Sequence, residues 1–323
     1  MKARALEISV SASFLREQQD MKRQKGQRIM KKQSKFLAAA LICVMGISLL
    51  AGCGKSGSGS GAAASETVSQ GELTLEAIKE KGKLVVATEA AYEPFEYLDG
   101  DKIIGYDADI FQKICDDLGV ELDYQDMPFQ GILAGLEAKK YDVAGACLGI
   151  TAERAAKYSM TYPIQEGTTV LIKRKSDDSI QSVEDMEGKI VGTQTSCYNE
   201  PDVKAYSETL IANGGKGMTD LKTYDSFPEA YMELKNGTID LVAQGYAQSA
   251  TLVKNNPDDY EIVGSIGGKT YLGWAVRKED SELYDYINAE IAKFEEDGTL
   301  AELQKKWFGE TVELPQSDYI PAE

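Results

Sequence analysis

YDVAGACLGITAERAAKYSMTYP, residues 141–163, holds a short apolar run followed at once by a helix start. Val143 to Ile150 has the length and composition of a buried strand. The run stops at Thr151, a good N-cap residue, which puts Glu153 and Arg154 in the first turn of a helix. A strand ending in a helix start aims free backbone N–H groups at one point in space. Arg154 adds a planar guanidinium fork there, suited to bidentate pairing with a carboxylate. Arginine in a first turn also opposes the helix dipole, and a small anionic ligand relieves that mismatch. Taken alone, a solvated arginine on a surface helix is the commoner case. The rest of the chain changes the weighting.

The 323 residues, 43% of them hydrophobic, suffice for one large or two modest domains. The formal charge is −17 and unevenly spread. Residues 1–52 hold ten of the 35 Lys/Arg and three of the 52 Asp/Glu, so the other 271 hold 25 basic and 49 acidic side chains, a net −24. Such a surface argues against nucleic acid, whose phosphates are bound by clustered Lys and Arg, and favours a soluble monomer. Histidine is absent, which excludes a Ser-His-Asp hydrolase, a Cys-His protease and a histidine-ligated zinc site. No G-x-x-x-x-G-K-[ST] occurs and no G-x-G-x-x-G follows a strand. Neither a cofactor nor a metal is expected.

Residues 1–29, rich in Lys, Arg and Gln, read as a leader extension or as a start upstream of Met21 or Met30. Lys31, Lys32 and Lys35 then precede the apolar segment Phe36 to Leu50, which is short for a membrane span and has the pattern of an export signal. The segment ends in Leu50-Ala51-Gly52-Cys53, which resembles the lipobox of bacterial lipoproteins. That resemblance implies cleavage before Cys53 and its lipidation, with the membrane reached through the lipid alone and the protein held outside the cytoplasm. The polar run 54–72, GKSGSGSGAAASETVSQGE, reads as a tether. About 20 such residues span roughly 25 Å.

Beyond the tether, strands and helices alternate. Leu84 to Thr88 reads as a buried strand, and Tyr106 to Leu118 as a helix with Tyr106, Ile110, Phe111, Ile114, Cys115 and Leu118 on one face. A strand over Val120 to Tyr124 and a helix over Phe129 to Ala138 lead to the run at Val143. Thr168 to Lys173, Lys189 to Thr193, Leu221 to Tyr224 and Ile239 to Ala243 read as further strands, with helices at Asp202 to Ala212 and Phe227 to Lys235. Tyr271 to Val276, then helices Ser281 to Glu296 and Leu300 to Trp307, close the body, and the acidic tail from Gly309 reads as extended. The alternation implies a mostly parallel sheet flanked by helices. Cys115 reads as core, and three cysteines after the tether do not make a disulfide framework.

Five ordered segments carry a resemblance: Tyr92-Glu93-Pro94-Phe95, Gly105-Tyr106-Asp107-Ala108-Asp109-Ile110, Ile150-Thr151-Ala152-Glu153-Arg154, Ala230-Tyr231-Met232-Glu233-Leu234 and Lys306-Trp307-Phe308-Gly309. From Tyr92 to Trp307 the chain resembles the extracytoplasmic solute-binding proteins of polar amino acid ABC transporters. The resemblance implies the periplasmic-binding-protein-like (type II) α/β fold: two lobes, two hinge crossings and a ligand cleft between the lobes, closing by hinge motion. Its implied organisation is a leader and lipoprotein signal over 1–52, anchor and tether over 53–72, lobe I over 73–164 and 271–311, lobe II over 165–270, and a tail over 312–323. The implied partners are a small-molecule ligand, an ABC permease and its ATPase.

Carried over position by position, Arg154 resembles the family's carboxylate-binding arginine. Tyr92 and Phe129 stand where aromatic walls flank the ligand, Glu89 at a position contacting its distal end, and Gln194 and Thr195 at the start of the lobe II loop. Four departures follow. Gly149 stands in place of a serine or threonine, Cys197 in place of threonine, Tyr198 in place of a small residue, and Gly245 in place of the aspartate that pairs with the ligand's α-ammonium. Without that aspartate a buried ammonium is costly. Glu89 or Asp225 is the candidate substitute, Tyr246 could offer a hydroxyl or a ring face, and an aspartate at 245 is expected to improve binding of common α-amino acids. Cys147 and Cys197 are expected near the cleft, one from each lobe. The reading is a binding module, not an enzyme, for an amino acid or related carboxylate. The alternatives are a cyclic carboxylic acid dehydratase-like enzyme, with Glu89 as its general acid, and a sensory receptor without transport.

Overall fold

The computed structural model describes residues 72–317 and Tyr319; the signal, Cys53 and the tether up to Gly71 lie outside them. The chain runs α1 (Leu75–Lys81), β1 (Lys83–Thr88), β2 (Ala91–Tyr92), β3 (Glu96–Asp99), β4 (Lys102–Ile104), α2 (Tyr106–Leu118), β5 (Glu121–Asp126), α3 (Phe129–Glu137) and β6 (Val143–Gly149). It continues through α4 (Ala152–Lys157), β7 (Tyr158–Met160), β8 (Gln165–Glu166), β9 (Thr169–Arg174), β10 (Ile190–Gln194), α5 (Asn199–Ala212), β11 (Asp220–Tyr224), α6 (Phe227–Asn236) and β12 (Leu241–Gly245). Then come α7 (Tyr246–Asn255), β13 (Tyr260–Ser265), β14 (Tyr271–Arg277), α8 (Ser281–Glu296) and α9 (Thr299–Phe308).

Two main sheets form. One has the order β5-β1-β6-β14-β7, with β8 also on β14; the other has the order β11-β10-β12-β9-β13. The expectation of mostly parallel sheets is corrected. Each sheet holds three parallel strands, β5-β1-β6 or β11-β10-β12, continued by antiparallel ones. The reason lies in the crossings. The chain passes between the sheets after β8 and again before β14, and β9 and β14 enter their sheets against the direction of the parallel strands. The two passages lie side by side, Gly167 N–H donating to the Thr270 carbonyl at 2.7 Å. This is the two-lobed α/β fold, with a hinge made of adjacent chain crossings.

Local chemistry fixes the elements that carry the cleft. All seven residues of β6 are buried, as its apolar run requires. The α2 helix starts at Gly105, whose φ of 136° disfavours an L side chain and where a Cβ would stand 2.1 Å from the Phe95 carbonyl oxygen. It ends on Gly119 in the left-handed conformation, whose N–H caps the carbonyls of Cys115 and Asp116. Phe111 on its apolar face stacks on Trp274 of β14 at 3.9 Å, and the Trp274 indole N–H donates to buried Asp107 at 2.6 Å. An aromatic pair of this kind adds about 1 kcal/mol beyond its buried area, so α2 is locked across the centre of the first sheet. Tyr319 of the tail packs edge-on against Tyr271 at the hinge, ring centroids 4.7 Å apart.

Candidate functional site

The cleft lies where β1, β6 and β10 end, at the carboxyl ends of parallel strands, the position at which open α/β sheets present ligand sites. Glu89, Tyr92, Phe129, Cys147, Gly149, Gln194 and Cys197, all expected there, line one cavity with Glu96, Ala146, Tyr198 and Phe227. The lobes are shut on each other. The cavity leaves about 10 Å³ for a water-sized sphere, and one apolar cluster runs through Tyr92, Cys147, Tyr198 and Phe227.

Arg154 is anchored as its helix start implied. The Thr151 side-chain oxygen accepts from the Arg154 N–H. The helix α4 has only six residues, so the guanidinium, not a helix dipole, carries the anion-binding capacity. The arginine is 9% exposed. Its Nη1 donates to the Gly149 carbonyl and its Nη2 to the Ser196 carbonyl of the opposite lobe, both at 2.9 Å. It forms no ion pair with any described carboxylate, and its Cζ lies 5.9 Å from the centre of the Phe129 ring. Across the same junction the Gln194 amide donates to Glu89 at 2.7 Å, and on its own side to the Asp225 carbonyl at 3.0 Å. Cys147 and Ser196, one from each lobe, hold positive φ angles of 47° and 64°. Such strain in non-glycine residues gathers at ligand sites.

Tyr198 runs across the middle of this site. It is 6% exposed, and its hydroxyl has no partner in hydrogen-bonding geometry, although the Asn199 side chain stands beside it. A Cβ on Gly149 would fall 2.4 Å from the Tyr198 Cβ, and one on Gly245 would fall 2.4 Å from its hydroxyl and 2.6 Å from Gln248 Oε1. The two glycines make the space that the tyrosine fills. The expectation that an aspartate at 245 simply supplies a counter-charge is corrected: no side chain fits there while Tyr198 keeps its place.

Three further placements differ from expectation. Tyr246 faces away from the cleft, 46% exposed, and lines a groove of about 620 Å³ behind the hinge. Thr195 turns aside, its hydroxyl donating to the Tyr224 carbonyl at 3.1 Å. Asp225 is exposed and gives the site its backbone carbonyl, not its carboxylate.

Residues 84–310 match the bacterial extracellular solute-binding proteins, family 3. The chain belongs to that family. It is similar to the L-cystine-binding protein TcyJ of Escherichia coli (strain K12), with 32% identity over 243 residues, 75% of this chain and 88% of that one. Among solved structures it is similar to an ancestral arginine-binding protein bound to arginine, with 37% identity, a TM-score of 0.64 and coverage of 71% of this chain and 99% of that one. An ancestral amino acid-binding protein, a precursor of cyclohexadienyl dehydratase, aligns at 28% identity and TM-score 0.64 over 72% of this chain and 99% of that one. Two further relatives, both of Bacillus subtilis (strain 168), are the L-cystine-binding protein TcyA and the arginine-binding extracellular protein ArtP.

The electrostatics of the cleft are polarised. At one pole stands the Arg154 guanidinium, which burial makes less favourable to keep charged. At the other stand Glu89 and Glu96. Burial pushes Glu89 up to about 7, the Gln194 hydrogen bond working against it, and nearby Asp126 and Glu229 add to the rise. Glu96, 1% exposed, is pushed well above the carboxylate range by burial and by its like-charged neighbours Asp107 and Glu89. Neither of its oxygens has a hydrogen-bond partner of good geometry, the Thr88 hydroxyl being the one neighbour that favours its charge. In the same cavity as the two acids Tyr92 and Phe227 stack at 5.6 Å. The Cys147 and Cys197 thiols are both free, buried and raised by that burial. Among the described residues no cluster of His, Cys, Asp or Glu could hold a metal ion, and no helix is long and apolar enough to cross a membrane.

Sequence reasoning missed Glu96 and Phe227. Glu96 comes directly after the matched segment that ends at Phe95, and a glutamate there reads as a surface residue until the fold buries it. Phe227 at the head of α6 reads as helix core, and only the closed lobes bring it to Tyr92.

Proposed function

We propose that this protein is the solute-capturing component of an ABC importer, tethered outside the cytoplasm by a lipid on Cys53, which closes its lobes on an amino acid or related small carboxylate and delivers it to a permease. The observation that carries the reading is Arg154: a buried guanidinium at the junction of the lobes, held by two carbonyls and paired with no described acid. A buried cation is costly without an anion to pair with, and a ligand carboxylate meets three N–H groups the carbonyls leave unused. The site is Arg154 with Glu89, Tyr92, Phe129, Cys147, Gly149, Gln194 and Cys197, joined by Glu96, Tyr198 and Phe227. Family membership and the cystine- and arginine-binding relatives support it.

The test is isothermal titration calorimetry of the full-length protein against amino acids and simple carboxylates, native and Arg154→Ala. Loss of about 30-fold or more in affinity is expected, since truncating one partner of a buried hydrogen-bonded charge pair costs about 2–5 kcal/mol; unchanged binding refutes the reading. One observation favours a second reading as an enzyme: a cleft carboxyl, Glu89, raised to about 7, near the working range of a general acid. Consumption of the bound acid, followed by chromatography, separates the two.

A further inference from the structure

We infer that the solute is a carboxylate whose ammonium or guanidinium sits at the far end of its chain and not on its α-carbon, with Tyr198 as the specificity-determining residue that excludes the α-ammonium. This rests on the capture of a carboxylate at Arg154 proposed above. Three observations carry it. The first is the acid pole: Glu89 and Glu96 are both more than nine-tenths buried, line the same cavity and face no cationic side chain in its lining. Two buried carboxyls side by side are relieved by a cation placed between them. The aromatic pair Tyr92 and Phe227 beside them adds ring faces that attract the same charge.

The second observation concerns the Arg154 end, where no buried acid lines the cavity: Glu153 is exposed and paired with Lys157, and Glu200 is paired with Lys204. A ligand carboxylate on Arg154 stands next to Gly149, and an ammonium one carbon away meets Tyr198. Tyr198 fills the space from Gly149, where its Cβ lies, to Gly245, where its hydroxyl lies. Asp202, the acid that acts on Tyr198, is engaged by the Thr169 hydroxyl at 2.5 Å. The polar atoms that do face Gly245 are neutral: the Tyr198 hydroxyl and the Gln248 amide, both buried and unpartnered. An ammonium there keeps its desolvation cost and gains no counter-ion.

The third observation is that this exclusion is built from several elements. Gly149 ends β6, Gly245 ends β12, and Gly167 lies at a crossing, where a Cβ would reach within 3.3 Å of the Tyr198 hydroxyl. One side chain meets three glycines from separate parts of the chain. A ring that merely filled a gap would need no such convergence, and a site for the α-amino acid head would leave the region open.

Calorimetry on the full-length protein tests the inference with matched pairs that differ only by the α-ammonium: 5-aminovalerate against L-ornithine, 6-aminohexanoate against L-lysine, and 5-guanidinovalerate against L-arginine, with L-cystine alongside. In at least one pair the form lacking the α-ammonium is expected to bind about tenfold or more tightly. Preference for the α-amino acid in every pair, tighter binding of L-cystine than of all six, or no binding by any of them overturns the inference. Tyr198→Ser is expected to move the preference within the binding pair toward the α-amino acid by about tenfold, and an unchanged ratio overturns the role of the tyrosine. Capture at Arg154 fails separately, if Arg154→Ala leaves the tightest of these solutes unaffected.

Discussion

Replacing Gly245 with alanine isolates the fit around Tyr198. The backbone there, φ −63° and ψ 145°, suits any residue, so conformational strain plays no part. Alanine in place of glycine would by itself stabilise by about 0.4–1 kcal/mol through the unfolded chain. The added Cβ arrives 2.4 Å from the Tyr198 hydroxyl and 2.6 Å from Gln248 Oε1, against an ordinary contact of about 3.5 Å. The phenol must therefore retreat by about 1 Å. Its base already abuts Gly149, and its tip lies near Gly167, so the retreat strains its neighbours. Overpacking of this kind costs about 1–3 kcal/mol. In the Tyr198→Phe background the nearest atom is gone, and because the hydroxyl makes no hydrogen bond of good geometry its removal costs little on its own. The double-mutant cycle is then expected to show coupling of about 1–2 kcal/mol. Urea denaturation followed by far-UV circular dichroism measures it through shifts in midpoint at constant slope. If Gly245→Ala is neutral, or the two changes add within about 0.5 kcal/mol, the tyrosine does not occupy that space.

Two other outcomes follow from the same geometry. Gly149→Ala places a Cβ 2.4 Å from the Tyr198 Cβ across the lobe junction, so it is expected to hold the lobes apart while leaving each lobe folded. Small-angle scattering should show a larger radius of gyration than the native protein under ligand saturation, and equal radii would refute it. Asp107→Asn tests the buried acids: burial holds the Asp107 carboxyl up at about 8, well above its value of about 4 in the unfolded chain. The folded state therefore binds the extra proton between those values, and stability falls as pH rises from about 4 through about 8. Asparagine can still accept from Trp274 but does not titrate, so the variant's advantage should grow over that window. Parallel urea midpoints at about pH 5 and about pH 8.5 would contradict this.

The sequence made the amphipathic elements legible. Tyr106–Leu118 falls where its apolar face puts it, and Ser281–Glu296 falls where the sequence places it. The β6 strand and the Thr151 cap were legible because a short apolar run that meets a capping residue has few alternatives. Other elements left weaker traces. The α7 helix buries Gln248 and Ser249 and lacks a side-chain cap, so it offers neither stripe nor start signal, and Tyr246 at its head reads from sequence as a cleft residue. The antiparallel strand β13 is half-buried along most of its length and shows no clean alternation. In the site, the departures at Gly149, Tyr198 and Gly245 were visible one by one. That they are a single arrangement was not, because they lie up to nearly a hundred residues apart and meet only in the folded chain.

The position of β14 bears on how the chain acquires its structure. This strand lies between β6 and β7, inside the first sheet, yet it is made only after the whole of β9 to β13. The second sheet is contiguous in sequence and can assemble as soon as β13 has emerged. The first must wait, with the edge of β6 unpaired, until residues 271–277 arrive across more than a hundred positions of intervening chain. Such distant pairing is slow, and an open apolar edge is prone to aggregate meanwhile. The lobe that carries Arg154 is thus the later to form, and the interval before β14 docks is when the emerging polypeptide is most exposed to misassembly.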